Sequence, residues 1–171
     1  MKFTYKFTAV DLDVEGYARQ LNKYMEDWLK QAAKEWLNAT VLAVIPTWSK
    51  ASRATFQKLA SEVGMVIPYG PLRSGIDRTS LGLASSRGSG LELDPGNHKW
   101  HFKYQSTLKY LAYNEYNRVV YGVAPGVFSR SGLRNPTPYN FQEKGARAFE
   151  EFARFTELPN PYKYLKKVKL A

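Results

Sequence analysis

The stretch VEGYARQLNKYMEDWLKQAAKEWLNATVLAVIP, residues 14–46, decides the architecture. Tyr17, Leu21, Tyr24, Met25, Trp28, Leu29, Ala32 and Trp36 recur at steps of three and four, the spacing that lines one face of a long α-helix. Asp11, Asp13 and Glu15 stand at its start. There a carboxylate caps free N–H groups and meets the positive end of the helix dipole. Pro46 has no N–H to donate and restricts the residue before it, so the helix is expected to stop there or one residue earlier.

Outward from this helix the periodicity changes. Phe3, Tyr5, Phe7 and Ala9 alternate with Lys2, Thr4, Lys6 and Thr8, which predicts a half-buried N-terminal strand. After Pro46 a polar turn, Thr47 to Lys50, leads into a short second helix with the apolar stripe Phe56, Leu59, Ala60 and Val63 and a left-handed stop at Gly64. Met65 to Tyr69 is expected as a strand broken by Pro68. Residues 70–90 hold five Gly, five Ser and three Arg, a composition expected to form a long arm with a strand only around Thr79 to Ala84 and a mobile tip from Ser85 to Gly90.

Leu91 and Leu93, then Trp100, Phe102 and Tyr104, predict an antiparallel strand pair around Asp94-Pro95-Gly96-Asn97. Pro before Gly suits a type II turn, which tight hairpins disfavour, so a loop longer than two residues is expected. Ser106 to Asn117 is expected as a short helix or turn, and 118–136 as irregular chain. Thr137-Pro138 offers a capping hydroxyl and a proline for the first turn of a C-terminal helix through Phe141, Gly145, Ala148, Phe149, Phe152 and Phe155, closed by Pro159 and Pro161. Helices at both ends around central antiparallel strands make an α+β domain. One domain is expected over 1–171, with a folded core at 1–157 and a basic C-terminal tail at 158–171 carrying Lys163, Lys166, Lys167 and Lys169.

The chain has 171 residues and no cysteine, which removes disulfides, thiolate zinc sites and a cysteine nucleophile. No apolar run follows Lys2 and Lys6, so no secretory signal is expected, and no uncharged stretch reaches the length of a membrane helix. The net charge of +10 is uneven: six basic and six acidic side chains cancel in residues 1–45, while the excess lies in the remaining chain. A field of that sign attracts nucleic acid, acidic protein rings or anionic surfaces without choosing among them, and it also suits a merely soluble basic domain.

Catalytic patterns are thin. Asp11, Asp13, Glu15 and Gly16 match the first half of a calcium loop, but Asn22 stands where a bidentate Glu is needed. His98 and His101, three apart on a strand, face opposite sides and do not share a metal easily. Ser106 and Lys109 form a Ser-x-x-Lys string without the motifs that accompany it in acyl enzymes. There is no phosphate loop or dinucleotide turn, so no catalytic, metal or cofactor site is expected. What stands out is a 15% share of aromatics, with Trp48, Trp100, Tyr110, Tyr113, Tyr116 and Tyr121 near turns or strands. With Arg, such residues anchor protein interfaces or stack nucleotide bases, and ordinary core packing also uses them.

Three segments, in order, bear on this choice: Pro46-Thr47-Trp48-Ser49-Lys50-Ala51-Ser52-Arg53-Ala54-Thr55-Phe56, then Tyr110-Leu111-Ala112-Tyr113-Asn114-Glu115-Tyr116-Asn117, then Pro136-Thr137-Pro138-Tyr139-Asn140-Phe141. Together, over roughly 14–156, they resemble the neck and tail-completion proteins of tailed bacteriophages, which join a DNA-filled head to its tail. Lys50 and Asn117 depart from the pattern, each standing where that family usually has Gly. Asn tolerates a left-handed turn, whereas Lys does so poorly, so the first turn is expected to differ here.

The resemblance implies a non-enzymatic virion protein, assembled in the host cytoplasm. Its copies would form a ring of six or twelve around the DNA channel, against head-connector and tail-tube proteins and with non-specific contact to DNA. Ring contacts are head-to-tail and need two complementary surfaces per subunit. The residues expected at subunit interfaces are Trp48, Ser49, Arg53, Arg73, Arg78, Arg87, Tyr113, Glu115 and Tyr116. They lie in the Trp48–Arg53 turn, the Arg73–Gly90 arm and the Tyr113–Asn117 segment. The alternative is a nucleic-acid-binding module using the same basic and aromatic surface, with Trp100 or Tyr104 as stacking platforms.

Overall fold

Helix α1, Val14–Leu37, carries the stripe read from its spacing, but only the half from Leu29 onward is sunk into the protein: Leu29, Ala32, Ala33 and Leu37 are buried. The computed structural model describes residues 10–12, 14–42, 45, 49–72, 74–97, 99–109, 111, 140–157, 160 and 167–169. The α-helix does not reach Pro46. At Asn38–Leu42 it widens into a π turn, in which the Thr40 carbonyl accepts the Ile45 N–H at 3.3 Å. Thr40 explains the change. Its hydroxyl donates to the Trp36 carbonyl at 2.9 Å, competing for the acceptor that α-helical bonding would use.

The chain then forms α2 (Ala51–Ala54), α3 (Gln57–Glu62), α4 (Thr79–Ser85), β2 (Gly90–Asp94), β3 (Lys99–Lys103) and α5 (Phe141–Phe155). Two three-residue strands, β1 (Val10–Leu12) and β4 (Lys167–Lys169), pair antiparallel. The α+β class holds, with the long helix near the N-terminus and α5 toward the other end. Asp11 lies in β1, and the alternating segment at 1–9 is outside the described residues, as is Asp13. Lys167–Lys169, expected in a tail, is part of the β1–β4 ladder.

Phe56, Leu59, Ala60 and Val63 are buried as their spacing requires, and Gly64 closes α3 at φ 70°. Met65 to Tyr69 is irregular rather than a strand: Ile67 is buried while Val66 stands out 82% exposed. The Gly/Ser-rich stretch differs most from expectation. Thr79–Ser85 is a helix, and the expected mobile tip is packed, with Ser85, Ser86 and Ser89 buried. Glycine allows that packing. A Cβ on Gly82 would come within 2.7 Å of the Ala54 methyl, so α4 lies directly against α2. Ser89 then ties the stretch down, exchanging hydrogen bonds with the Gln105 backbone at 2.9 Å in both directions.

The hairpin is as expected. Asp94 faces Lys99 and Gly90 faces Lys103, and Trp100 and Phe102 alternate in burial with Lys99, His101 and Lys103. Its connection is longer than two residues and contains the 3-10 turn Pro95–Asn97, held by the Asp94 carboxylate accepting from the Asn97 N–H and side-chain amide. His101 pairs with Glu92 across the strands at 2.6 Å, and His98 is outside the described residues.

α5 begins at Phe141, after Asn140 in left-handed backbone (φ 47°), so it starts later than a first turn at Pro138; Thr137 and Pro138 are outside the described residues. The helix crosses α1 at Gly145, where an added Cβ would meet Thr40 Cγ2 at 2.6 Å and the Trp36 indole. Around this crossing sits one aromatic core. Phe56 stacks on Tyr104 with ring centroids 4.3 Å apart, and Trp36 packs against Phe56, Phe102 and Tyr104. Tyr104, expected as a surface platform in the nucleic-acid reading, therefore has its ring against Phe56 and its hydroxyl 3.0 Å from Thr55 Oγ1.

Candidate interaction surface

The turn entering α2 is assembled from residues far apart in sequence. Lys50 takes left-handed backbone, φ 64° and ψ −14°, a conformation that costs a β-carbon-bearing residue roughly 1–2 kcal/mol. The geometry turns the chain so that α2 can start at Ala51. The strain is offset by contacts. Lys50 Nζ lies 3.2 Å from the Asp77 carboxylate, and the Ser49 carbonyl accepts the Arg78 N–H at 3.0 Å. Asp77 in turn accepts from the Thr79 hydroxyl at 2.6 Å and the Thr79 N–H at 2.8 Å, an Asx turn that launches α4. The bonds from Thr79, with Lys50 adding to them, hold the Asp77 carboxyl at about 2, below its usual 3.8.

Arg53 spans the same turn from the other side. Its Nε donates to the Ile45 carbonyl at 3.0 Å and its Nη1 to the Pro68 carbonyl at 2.7 Å. Burial pushes its pKa down from the ordinary arginine value. Arg53 is thus a clamp joining the chain before α2 to the chain after α3. Tyr69 packs beside this, its hydroxyl 3.1 Å from Gln57 Oε1, with its pKa raised by burial and then by Asp77.

The chain tied to this turn carries several exposed apolar side chains. Among the described residues, five of the ten large exposed apolar side chains fall in one stretch: Val66, Leu72, Ile76, Leu81 and Leu83. Val66 and Ile76 are tied to the same base, because Pro68 is held by Arg53 and Asp77 by Lys50. Arg78 is exposed beside them, and Leu81 follows it by one helical step of three.

Of the residues expected at subunit interfaces, the structure brings Ser49, Arg53 and Arg78 together around this turn. Arg87 lies apart. It is exposed beyond α4, with its carbonyl accepting from Lys58 Nζ at 2.8 Å. Trp48, Arg73, Tyr113, Glu115 and Tyr116 are outside the described residues. Lys50 and Asp77, which organise the turn, were not read from sequence as a pair. The Asp-x-Thr spacing before a helix is the signal that points to Asp77.

Among the described residues, no group of three or more His, Asp or Glu side chains is placed to hold a metal ion. No helix among them is long and apolar enough to cross a membrane. The chain matches no protein-family model, no curated protein and no solved structure.

Proposed function

We propose that this chain is a structural virion component of a tailed phage, a neck or tail-completion protein that joins head connector and tail as part of a ring around the DNA channel. The observation that supports the reading is the run of exposed apolar side chains between residues 66 and 83, with exposed Arg78, in chain tied to the Ser49–Arg53 turn through the Arg53–Pro68 and Lys50–Asp77 contacts. The turn is one of the three segments in which the chain resembles that family, and its clamped geometry suits a docking element. A rigid base presents the apolar side chains without an ordering cost at the moment of assembly. The excess positive charge over residues 46–171 suits a channel wall that touches phosphates without reading sequence.

The test is genetic and visual. Deletion of the gene from the phage that encodes it, followed by negative-stain microscopy of the lysate, is expected to leave filled heads and tails unjoined, or tails of abnormal length. Normal infectious particles would overturn the proposal. The alternative, a nucleic-acid-binding module, would then be tested by the salt dependence of DNA affinity and by replacement of Trp100.

A further inference from the structure

Helix α4 reverses the usual arrangement of a surface helix. Its buried residues are Gly82 and Ser85, continued by Ser86 and Ser89, while Leu81 and Leu83 are 47% and 43% exposed. The buried four stand at the three-, four- and seven-residue steps of one helical face, so the side turned inward is glycine and serine. Burying that face removes little apolar area from water, whereas α3, of similar length, buries Leu59 and Ala60 completely. Seven residues are also about half the length at which an isolated helix persists in water.

The contacts that hold α4 are polar and lie at its two ends. Before it, the Ser49 carbonyl accepts from the Arg78 N–H, and Lys50 pairs with Asp77. After it, the Ser85 carbonyl accepts the Thr107 N–H at 3.1 Å, and the Ser85 and Ser106 hydroxyl oxygens are 3.3 Å apart. Water replaces such bonds at small net cost. Gly75, at φ 71°, and Gly88 flank these contacts and can serve as joints. Beyond Gly88, Ser89 stays bonded to Gln105. Leu81 and Leu83 also alternate with Ser80, Gly82 and Ala84, so the segment fits the spacing of a strand once it leaves α2.

We infer that residues 77–86 form a latch that opens from α2 as one unit while the rest of the protein stays folded, releasing α4 as extended chain with both leucines on one side. Closed, the latch lies on Ala51 and Ala54; open, it bares that contact, while Val66 and the Arg53 clamp stay in place. The segments that open first are those with the fewest buried apolar contacts. The inference rests on packing and holds independently of the neck reading.

Residue-resolved amide exchange by NMR on the full chain tests this. The Gly82 N–H bonds to the Arg78 carbonyl inside the latch, and the Thr107 N–H bonds to Ser85 from outside it. These two are expected to share one protection factor, at least about tenfold below those of Ala60 and Val63 in α3 and its cap. That protection is expected to change little with urea, whereas the protection of Ala60 and Val63 falls steeply, because opening the latch exposes little surface. Ser85→Cys combined with Ser106→Cys supplies a lock, since the native chain has no cysteine to compete. Its oxidised form is expected to bring Gly82 and Thr107 up to the protection of Ala60, and its reduced form to keep the native gap. Equal protection and equal urea dependence at all four amides of the native chain overturn the inference, since α4 then opens only with the core. A protected Thr107 beside a fast Gly82 also overturns it, as fraying of α4 rather than a unit, and so does a gap that survives oxidation. None of these outcomes bears on head–tail joining, which the deletion experiment decides.

Discussion

Lys50 and Asp77 show how one strained residue is made tolerable. Glycine takes φ near +60° at no steric cost, whereas Lys50 holds φ 64° only because its neighbours define the turn. Lys50→Gly removes the strain and an exposed ion pair, while adding backbone freedom to the unfolded chain. The expected balance is a stabilisation of about 0.5–1 kcal/mol, read as a higher urea midpoint at neutral pH. Asp77 gives a pH signature. Its carboxyl sits at about 2 in the folded state against 3.8 ordinarily, so the stability it contributes is complete only above roughly pH 5 and is lost as pH falls through about 2. A carboxylate NMR titration is expected to show that midpoint. Thr79→Val is expected to raise it further than Lys50→Gly does, since the Thr79 hydroxyl bond is the largest cause of the depression. The Asx turn was missed, because Thr79 to Ala84 was expected as a strand. The Lys50–Asp77 pair was missed too, because it joins residues separated by two helices.

Helices α1 and α5 and the hairpin were legible as elements, since each repeats its own period over many residues. Their ends were less so. Pro46 is the strongest break signal near α1, yet the helix leaves α geometry at Asn38, where the Thr40 hydroxyl competes for backbone acceptors. The Gly/Ser stretch misled for the same reason it packs. Small residues lower helix propensity in isolation, but Gly82 lets α4 sit on Ala51 and Ala54, and tertiary packing outweighs propensity. Gly145 plays that part between α1 and α5. Gly145→Val is expected to cost about 1–3 kcal/mol by forcing Trp36 and Thr40 aside, measured by chemical denaturation. Tyr104→Phe removes the hydroxyl near Thr55 but keeps the stack on Phe56. The expected loss is about 0.5–1.5 kcal/mol, at the low end because Thr55 still donates to the Ser52 carbonyl at 2.7 Å.

For the molecule as a whole, surplus aromatics divide into two uses. Trp28, Trp36, Phe56, Phe102, Tyr104, Phe141, Phe149 and Phe152 contact one another where α1, α5 and the hairpin meet, so most of this group builds the interior. Phe155 continues the same stripe but is 87% exposed. If the exposed apolar side chains between residues 66 and 83 form the ring contact, Ile76→Asp is expected to reduce phage yield when it replaces the native gene while leaving the isolated chain's melting temperature unchanged. Plating efficiency and a thermal melt together check this. Periodicity and composition by themselves determined the α+β class, the two principal helices, the strand pair of the hairpin and the absence of cysteine chemistry, because those follow from local spacing and residue type. Only the tertiary structure decided that α4 is a helix, that Tyr104 packs half-buried against the core, that Arg53 is a clamp, and that Val66 and Phe155 are left outside. Each depends on contacts between residues distant in sequence, whose packing no local period encodes.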